Sequence, residues 1–326
     1  MVLKLYVVSD GPPSLSVRQA LALLEVPCQQ VDVDFGAGDH MTDEYALMNP
    51  QKEIPVLDDD GFFLSESNAI LQYICDKYSP GTPLYPQDPK IRAVVNHRLC
   101  FNLSTYYANI SAYTMAPIFF DYERTPLGLK KVHIALDVFN TYLSRAGTTH
   151  AAADHLTIAD FPLINSTMTL EAIDFDFSKY EKVSTWYEDF KKDYPELWKI
   201  SADAMKEIKH FAANPPDLTH MDHPIHPIRK VKNRRATVSS SPAGVLETYL
   251  TRNGTTDVAA DHLTIADFPL INSTMTLETV DFDFSKYKKV TAWYEGFKNN
   301  YPELWKISED DMKFTQAYIA NSHKSL

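Results

Sequence analysis

Residues 49–67 read NPQKEIPVLDDDGFFLSES. Two short apolar runs flank the acidic turn DDDG, a pattern that predicts a β-hairpin. A proline at the mouth of the first run cannot donate to a ladder, so that strand starts at an edge or a bend. If Ile54-Pro55 is cis, a minority state for such bonds, the Ile54 backbone N–H and C=O turn outward and can serve a ligand. If it is trans, Pro55 is an ordinary edge-strand proline. Glu66-Ser67 then stands where the helix SNAILQYICDKY should begin. The pair either caps that helix and offsets its dipole or holds a ligand. In the second case the hydroxyl and amides take a carboxylate while Glu66 accepts from an ammonium group.

Working outward, LKLYVV (3–8) reads as a strand, DGPPS as a loop and VRQALALLEV as a helix with apolar spacing. QQVDVD (29–34) alternates as a strand, and MTDEYALMN forms a short helix. The order β-α-β-α-β-β-α over residues 1–80 makes a compact α/β domain, ended by the Pro-rich linker 81–89. From Lys90 to 210 the pattern is helical: one long helix over 92–117, a second over 127–147, and another at VSTWYEDFKK. In HLTIADFPLINSTMTLE, Thr157 is expected to cap a helix and Pro162 to sit deep enough to cost one ladder bond.

Residues 140–205 recur at 247–312, and HLTIADFPLINSTMTLE is repeated word for word at 155–171 and 262–278, an offset of 107 residues. Two copies at so long a period are not a solenoid. They read as a partial duplicate, 243–326, of the helical domain, joined through a Pro/His/basic linker, 211–242. One surface exists for two sets of packing residues. Closing the long loop costs the second copy about 3 kcal/mol, so the first is expected to win. The second is then left as a marginal subdomain, packed elsewhere, or exposing an apolar patch.

The net charge of −12 argues against general nucleic-acid binding and against anionic membranes. Cys28, Cys75 and Cys100 are widely spaced with no CxxC, which weighs against a dithiol enzyme and suits a reducing compartment. No apolar run is long enough to span a membrane. A cytoplasmic protein is expected. In the joiner, His220, His223 and His226 have metal-like spacing, but the prolines between them favour a solvated segment, and no metal is expected. The basic run Arg229, Lys230, Lys232, Arg234 and Arg235 before Thr237 reads as a charged linker, with a kinase site or import signal as the alternative.

Taken together, SDGPPSLSVR, NPQKEIPVL, SESNAI and HLTIAD identify residues 1–210 as closely similar to a cytosolic glutathione transferase of the insect epsilon or delta type. The resemblance implies an α/β thioredoxin-like N-terminal domain followed by an all-α C-terminal domain, glutathione as co-substrate, and a cis Ile54-Pro55 bond. In those classes a serine four residues before the first-helix arginine activates the thiol. Counting back from Arg18 gives Ser14 as the catalytic candidate, with Ser9 and Ser16 as rivals and Tyr6 ranked low. A hydroxyl near a helix N-terminus favours thiolate over thiol. The resemblance also assigns glutathione contacts to His40, Lys52, Ile54, Pro55, Glu66 and Ser67. Lys52 stands where histidine is common and Asn68 where arginine is frequent, departures that change the charge of the tripeptide grip.

For the electrophile, the long helix offers Tyr106, Ile110 and Tyr113 on one face, followed by Met115, Phe119 and Phe120. A core stripe is the competing reading. The expected activity is conjugation of the glutathione thiolate to small hydrophobic electrophiles, with a homodimer as the expected assembly. The alternative is a non-catalytic binding or scaffolding protein that uses the duplicated helices as a partner surface.

Overall fold

The computed structural model describes residues 2–120, 122–216, 241–253, 257–260 and 262–322. The joiner's histidines, basic run and Thr237 lie outside the described residues. The chain divides into two compact units, Met1–Lys232 and Asn233–Leu326.

The first unit opens with β1 (Leu3–Val7), α1 (Pro12–Leu23), β2 (Cys28–Asp32), α2 (Asp43–Met48), β3 (Val56–Asp59), β4 (Phe62–Leu64) and α3 (Ser67–Tyr78). The sheet order is β2-β1-β3-β4, with β1 parallel to β2 and antiparallel to β3, and Tyr6 opposite Val56. Leu5, Leu57, Leu15, Ile70 and Ile74, all fully buried, join the sheet to α1 and α3. A smaller cluster, Val33, Tyr45 and Val56, receives Ile54 and Tyr6. This is the thioredoxin-like arrangement expected.

One boundary differs. The helix begins at Pro12 inside the expected DGPPS loop, because Pro12 and Pro13 occupy its first positions, where no N–H has an intrahelical partner. Ser14 is therefore already inside the first turn.

The helical part runs α4 (Pro89–Phe101), a π-helical turn (Asn102–Tyr106), α5 (Tyr107–Thr114), α6 (Ala116–Phe119), α7 (Pro126–Ala146), α8 (Asp160–Ala172), α9 (Glu181–Asp193) and α10 (Pro195–Ala213). Helix α8 lies at the centre and contacts α1, α5 and α10. The side chain of Asn165 on α8 donates to Ser16 Oγ at 3.2 Å and to Gln19 Oε1 at 2.8 Å, binding α8 to α1. Thr157 does not cap α8, which starts at Asp160. Pro162 consequently falls in the first turn and forfeits no ladder bond. The capping direction is reversed: the Asp160 carboxylate accepts from Thr157 N and from Thr157 Oγ1, each at 2.9 Å.

The second unit contains α11 (Pro242–Asn253), α12 (Asp267–Thr279), α13 (Lys288–Asn300) and α14 (Pro302–Ser322). Its core is small: Leu250, Ile271, Val290, Trp293, Tyr294 and Phe297. Asp267 accepts from Val258 N, Thr264 N, Thr264 Oγ1 and Trp293 Nε1, the counterpart of the Asp160 arrangement. Among the described residues, α12 is less covered than α8. Phe161 is 0% exposed, whereas Phe268, at the same place in the repeated sequence, is 40% exposed, and Ile265 is 89% exposed against 0% for Ile158.

Candidate functional site

Three short segments of the thioredoxin-like domain meet two helices in a cavity of about 280 Å³. Its lining includes Pro12 and Pro13 from the start of α1, Glu53, Ile54 and Pro55 before β3, and Glu66, Ser67 and Asn68 at the start of α3. The helical side supplies Asn102, Leu103 and Tyr107, with Pro162 and Ser166 of α8 beneath.

Each segment has a local cause. Ile54-Pro55 is cis, and the chain before it is held by Tyr45 Oη and Asn49 Nδ2, which donate to the Glu53 carbonyl at 3.1 and 2.8 Å. Glu66 adopts φ +67°, ψ 103°, a left-handed conformation unusual outside glycine, as the chain turns from β4 into α3. Helix α3 therefore starts at Ser67, with the unpaired N–H groups of a first turn beside a carboxylate and a hydroxyl. The turn from β1 into α1 is tight: a Cβ on Gly11 would sit 2.5 Å from Val8 Cγ2.

Of the expected glutathione contacts, the fold brings together Ile54, Pro55, Glu66 and Ser67. It does not bring Ser14, His40 or Lys52 into the cavity lining. Ser14 is 0% exposed, and its Oγ accepts from Val8 N at 3.4 Å, behind the Gly11 turn. The early helix start displaces it: at the third helical position its side chain runs back under the β1–α1 turn. The ring of His40 is buried and stacked on Phe35 at 4.5 Å. Burial, then the nearby Lys52 charge, pushes the His40 pKa down to about 4, so the ring is neutral. Lys52 Nζ donates to the Met41 carbonyl and spans the loop.

The electrophile stripe is also displaced. Tyr106 and Ile110 are fully buried in the helical core, with Tyr106 Oη bonded to Thr167 Oγ1 at 2.9 Å. Tyr113 packs edge-on to Phe175, and Met115 is partly buried against the same core. Phe119 and Phe120 meet Phe35 edge-on at 6.2 Å each, and Phe119 also meets Phe211 at 5.6 Å. The π-helical turn shifts the register by one residue, so Leu103 and Tyr107, not Tyr106 and Ile110, line the cavity.

Tyr107 was missed by sequence reasoning. Its pKa is raised by burial and then by the carboxylates of Glu53 and Asp10, so the phenol stays neutral and can donate. Glu53 was missed as well. Burial, then the neighbouring Glu66 charge, lifts its carboxyl to about 7. Asp10 rises to about 6 for like reasons, burial first and then Glu207. Burial raises Cys28 to about 11 and Cys75 to about 12, which disfavours either as a thiolate nucleophile. Among the described residues no cluster of His, Cys, Asp and Glu could hold a metal ion, and no helix is long and apolar enough to cross a membrane.

Within the first unit, then, a thioredoxin-like sheet and helices share one cavity, the fold of a class of two-part proteins. Residues 1–76 match the glutathione S-transferase N-terminal domain family. A diazinon-metabolizing glutathione S-transferase of the silkworm, Bombyx mori, is 78% identical, with 64% of this chain and 100% of that one covered and a TM-score of 0.61. A Nilaparvata lugens delta-class glutathione transferase is 32% identical over 65% of this chain and 99% of its own, TM-score 0.61. An epsilon-class glutathione S-transferase from the housefly, Musca domestica, is 29% identical over 64% and 98%, TM-score 0.58. The chain belongs to the glutathione S-transferase family, enzymes whose co-substrate is glutathione.

Proposed function

We propose that this chain conjugates the glutathione thiolate to small apolar electrophiles, a detoxification-type reaction. One observation carries the reading: a single cavity holds Ile54, Pro55, Glu66 and Ser67 on one side and Leu103 and Tyr107 on the other. In this reading the γ-glutamyl end lies at Glu66 and Ser67, and the Ile54 backbone grips the cysteinyl residue. The neutral phenol of Tyr107 is the donor that favours an ionised sulfur. Pro12, Pro13, Leu103 and the Tyr107 ring offer the apolar wall for the electrophile, and proximity supplies much of the rate. The silkworm relative's diazinon metabolism supports a hydrophobic electrophile. A cytoplasmic homodimer is part of the proposal, as is the division into domains 1–80, 90–210 and 243–326.

The test is retention on immobilised glutathione together with conjugation of a chromogenic aromatic halide. Retention without turnover would select a second reading, a non-catalytic binding or scaffolding protein. The exposed Ile265 and Phe268 of the second unit favour that alternative. Two further outcomes are expected. Ending the chain after Arg235 leaves turnover unchanged, because every residue lining the cavity precedes that point; loss of turnover in the short form would give the second unit a part in the chemistry. Ser14→Ala lowers kcat/KM by less than about tenfold, since it removes a prop under the β1–α1 turn and not a donor to sulfur. A loss above about a hundredfold, with the thiol titrating at its free value, would restore Ser14 as the thiol-activating group.

A further inference from the structure

A second cavity, of about 210 Å³, lies where the β1–α1 turn and α1 meet α10. Ser9 and Arg18 line it from one side, and Lys199, Asp203 and Glu207 from the other. Spaced four residues apart, the three α10 side chains form one row along the helix, about 6 Å from turn to turn. Ile200 and Ala204 run beside them as an apolar strip. The two walls are fixed to each other. Gln19 Nε2 on α1 donates to the Leu197 carbonyl at 3.0 Å and to Ser201 Oγ at 2.9 Å on α10.

Four charges, two of each sign, thus face one space without neutralising one another by contact. Among the described residues neither Arg18 nor Lys199 forms an ion pair. The Arg18 guanidinium makes one long hydrogen bond, Nη1 to the Ser9 carbonyl at 3.4 Å, and its Nε is buried with no hydrogen-bond partner. Burial lowers the Arg18 pKa, and the charges of Asp32, Glu207 and Asp203 act against that lowering, so the carboxylates are near without touching. Asp203 Oδ1 takes Lys206 Nζ at 2.8 Å, and Glu207 Oε2 accepts from Ser9 Oγ at 2.5 Å. Each carboxylate keeps its other oxygen. A pure anion here would meet Asp203 and Glu207, and a pure cation would meet Arg18 and Lys199. A small group carrying both signs satisfies all four.

We infer that this cavity is a second binding site, for an α-amino acid head group. The carboxylate lies between Arg18 and Lys199, the ammonium against Asp203 and Glu207, and the adjoining methylene groups over Ile200 and Ala204. The head group comes from a free amino acid or from the γ-glutamyl end of a second tripeptide. No residue lines both cavities, so the site stands apart from the proposed reaction.

Two calorimetric titrations of the full chain test this and separate the sources. In the first, S-hexylglutathione is added. One equivalent reports the first cavity alone, and a second equivalent that disappears in Arg18→Gln reports a γ-glutamyl peptide at the new site. In the second, L-leucine is added to protein with and without one equivalent of S-hexylglutathione. Saturable binding in both cases marks a free amino acid as the source. Leucine is expected to bind at least about tenfold more tightly than 4-methylpentanoate, which lacks the ammonium, or leucinamide, which lacks the carboxylate. Arg18→Gln is expected to weaken the bound head group by about tenfold or more. Lys199→Gln and Asp203→Asn, at exposed positions on α10, weaken it by about two- to fivefold each and leave kcat/KM for conjugation unchanged. Should circular dichroism show that Arg18→Gln does not fold, those two substitutions combined take its place. A single S-hexylglutathione equivalent with no saturable leucine binding up to about 10 mM overturns the inference. So does head-group binding that is unchanged in Arg18→Gln or in the combined variant.

Discussion

Asp160→Ala is expected to destabilise the first unit by about 3–5 kcal/mol and to abolish measurable conjugation at ordinary temperature. The carboxylate is 0% exposed and accepts four hydrogen bonds from three places in the chain. Ala151 N donates to Oδ1 at 2.8 Å, Trp186 Nε1 to Oδ1 at 3.0 Å, and Thr157 N and Oγ1 to Oδ2 at 2.9 Å. Removing it strands four donors where solvent cannot reach. Each would cost about 1–3 kcal/mol if unrelieved, and partial relaxation brings the sum to the stated range. The lost bonds also release α9 from the start of α8, and α8 is the helix that anchors α1 through Asn165.

The second unit provides an internal control. Asp267→Ala breaks the same four kinds of bond, at 2.8–3.1 Å, around a core of far fewer residues. That substitution is expected to remove the second unit's unfolding transition, followed through Trp293 and Trp305, while glutathione binding persists. Denaturant titrations of the two variants decide the matter. A midpoint shift worth less than about 1 kcal/mol for Asp160→Ala would show that the loop carries its donors without the carboxylate. Loss of glutathione binding in Asp267→Ala would show that the site depends on the second unit.

How far the sequence reveals this molecule depends on whether the deciding interaction is local. The β-α-β-α-β-β-α order was readable because each element carries its own period and its own turn, such as DDDG between β3 and β4. Ile54, Pro55, Glu66 and Ser67 were readable because each feature lies within a few residues of an element boundary. The pocket-side helix was not. Whether Tyr106 or Tyr107 lines the cavity depends on a one-residue π-helical shift, and neither residue's neighbours encode that shift by pattern alone. The burial of Ser14 was hidden for a related reason: counting from Arg18 fixes a spacing but not the point at which two prolines let the helix begin. Glu53 escaped because its place two residues before a proline says nothing of the burial that lifts its carboxyl to about 7. In the repeat, the same word HLTIADFPLINSTMTLE gives a wholly covered helix in one unit and a half-exposed one in the other. Coverage belongs to the partners, not to the word.

Glu66→Gly is expected to move stability and glutathione binding in opposite directions. At φ +67° and ψ 103° the glutamate backbone occupies a region that costs a non-glycine residue roughly 1–3 kcal/mol. Glycine relieves that strain, set against its greater loss of backbone freedom on folding, so a net gain of about 1 kcal/mol is expected in the unfolding midpoint. The same change deletes the carboxylate proposed to receive the ammonium group, an interaction of charged partners worth about 1.5–3 kcal/mol. The KM for glutathione should then rise by about ten- to a hundredfold, with kcat at saturating tripeptide little changed, because the lost contact holds ground and transition states equally. Ser67→Ala should raise KM in the same manner without the gain in stability, since Ser67 already sits in ordinary helical geometry as the first residue of α3. A more stable Glu66→Gly variant that binds glutathione as tightly as the wild type would mean that the strained backbone serves the turn into α3 and nothing else. A destabilised one would mean that the side chain itself holds that turn, and that the cost of the conformation is already offset within the protein.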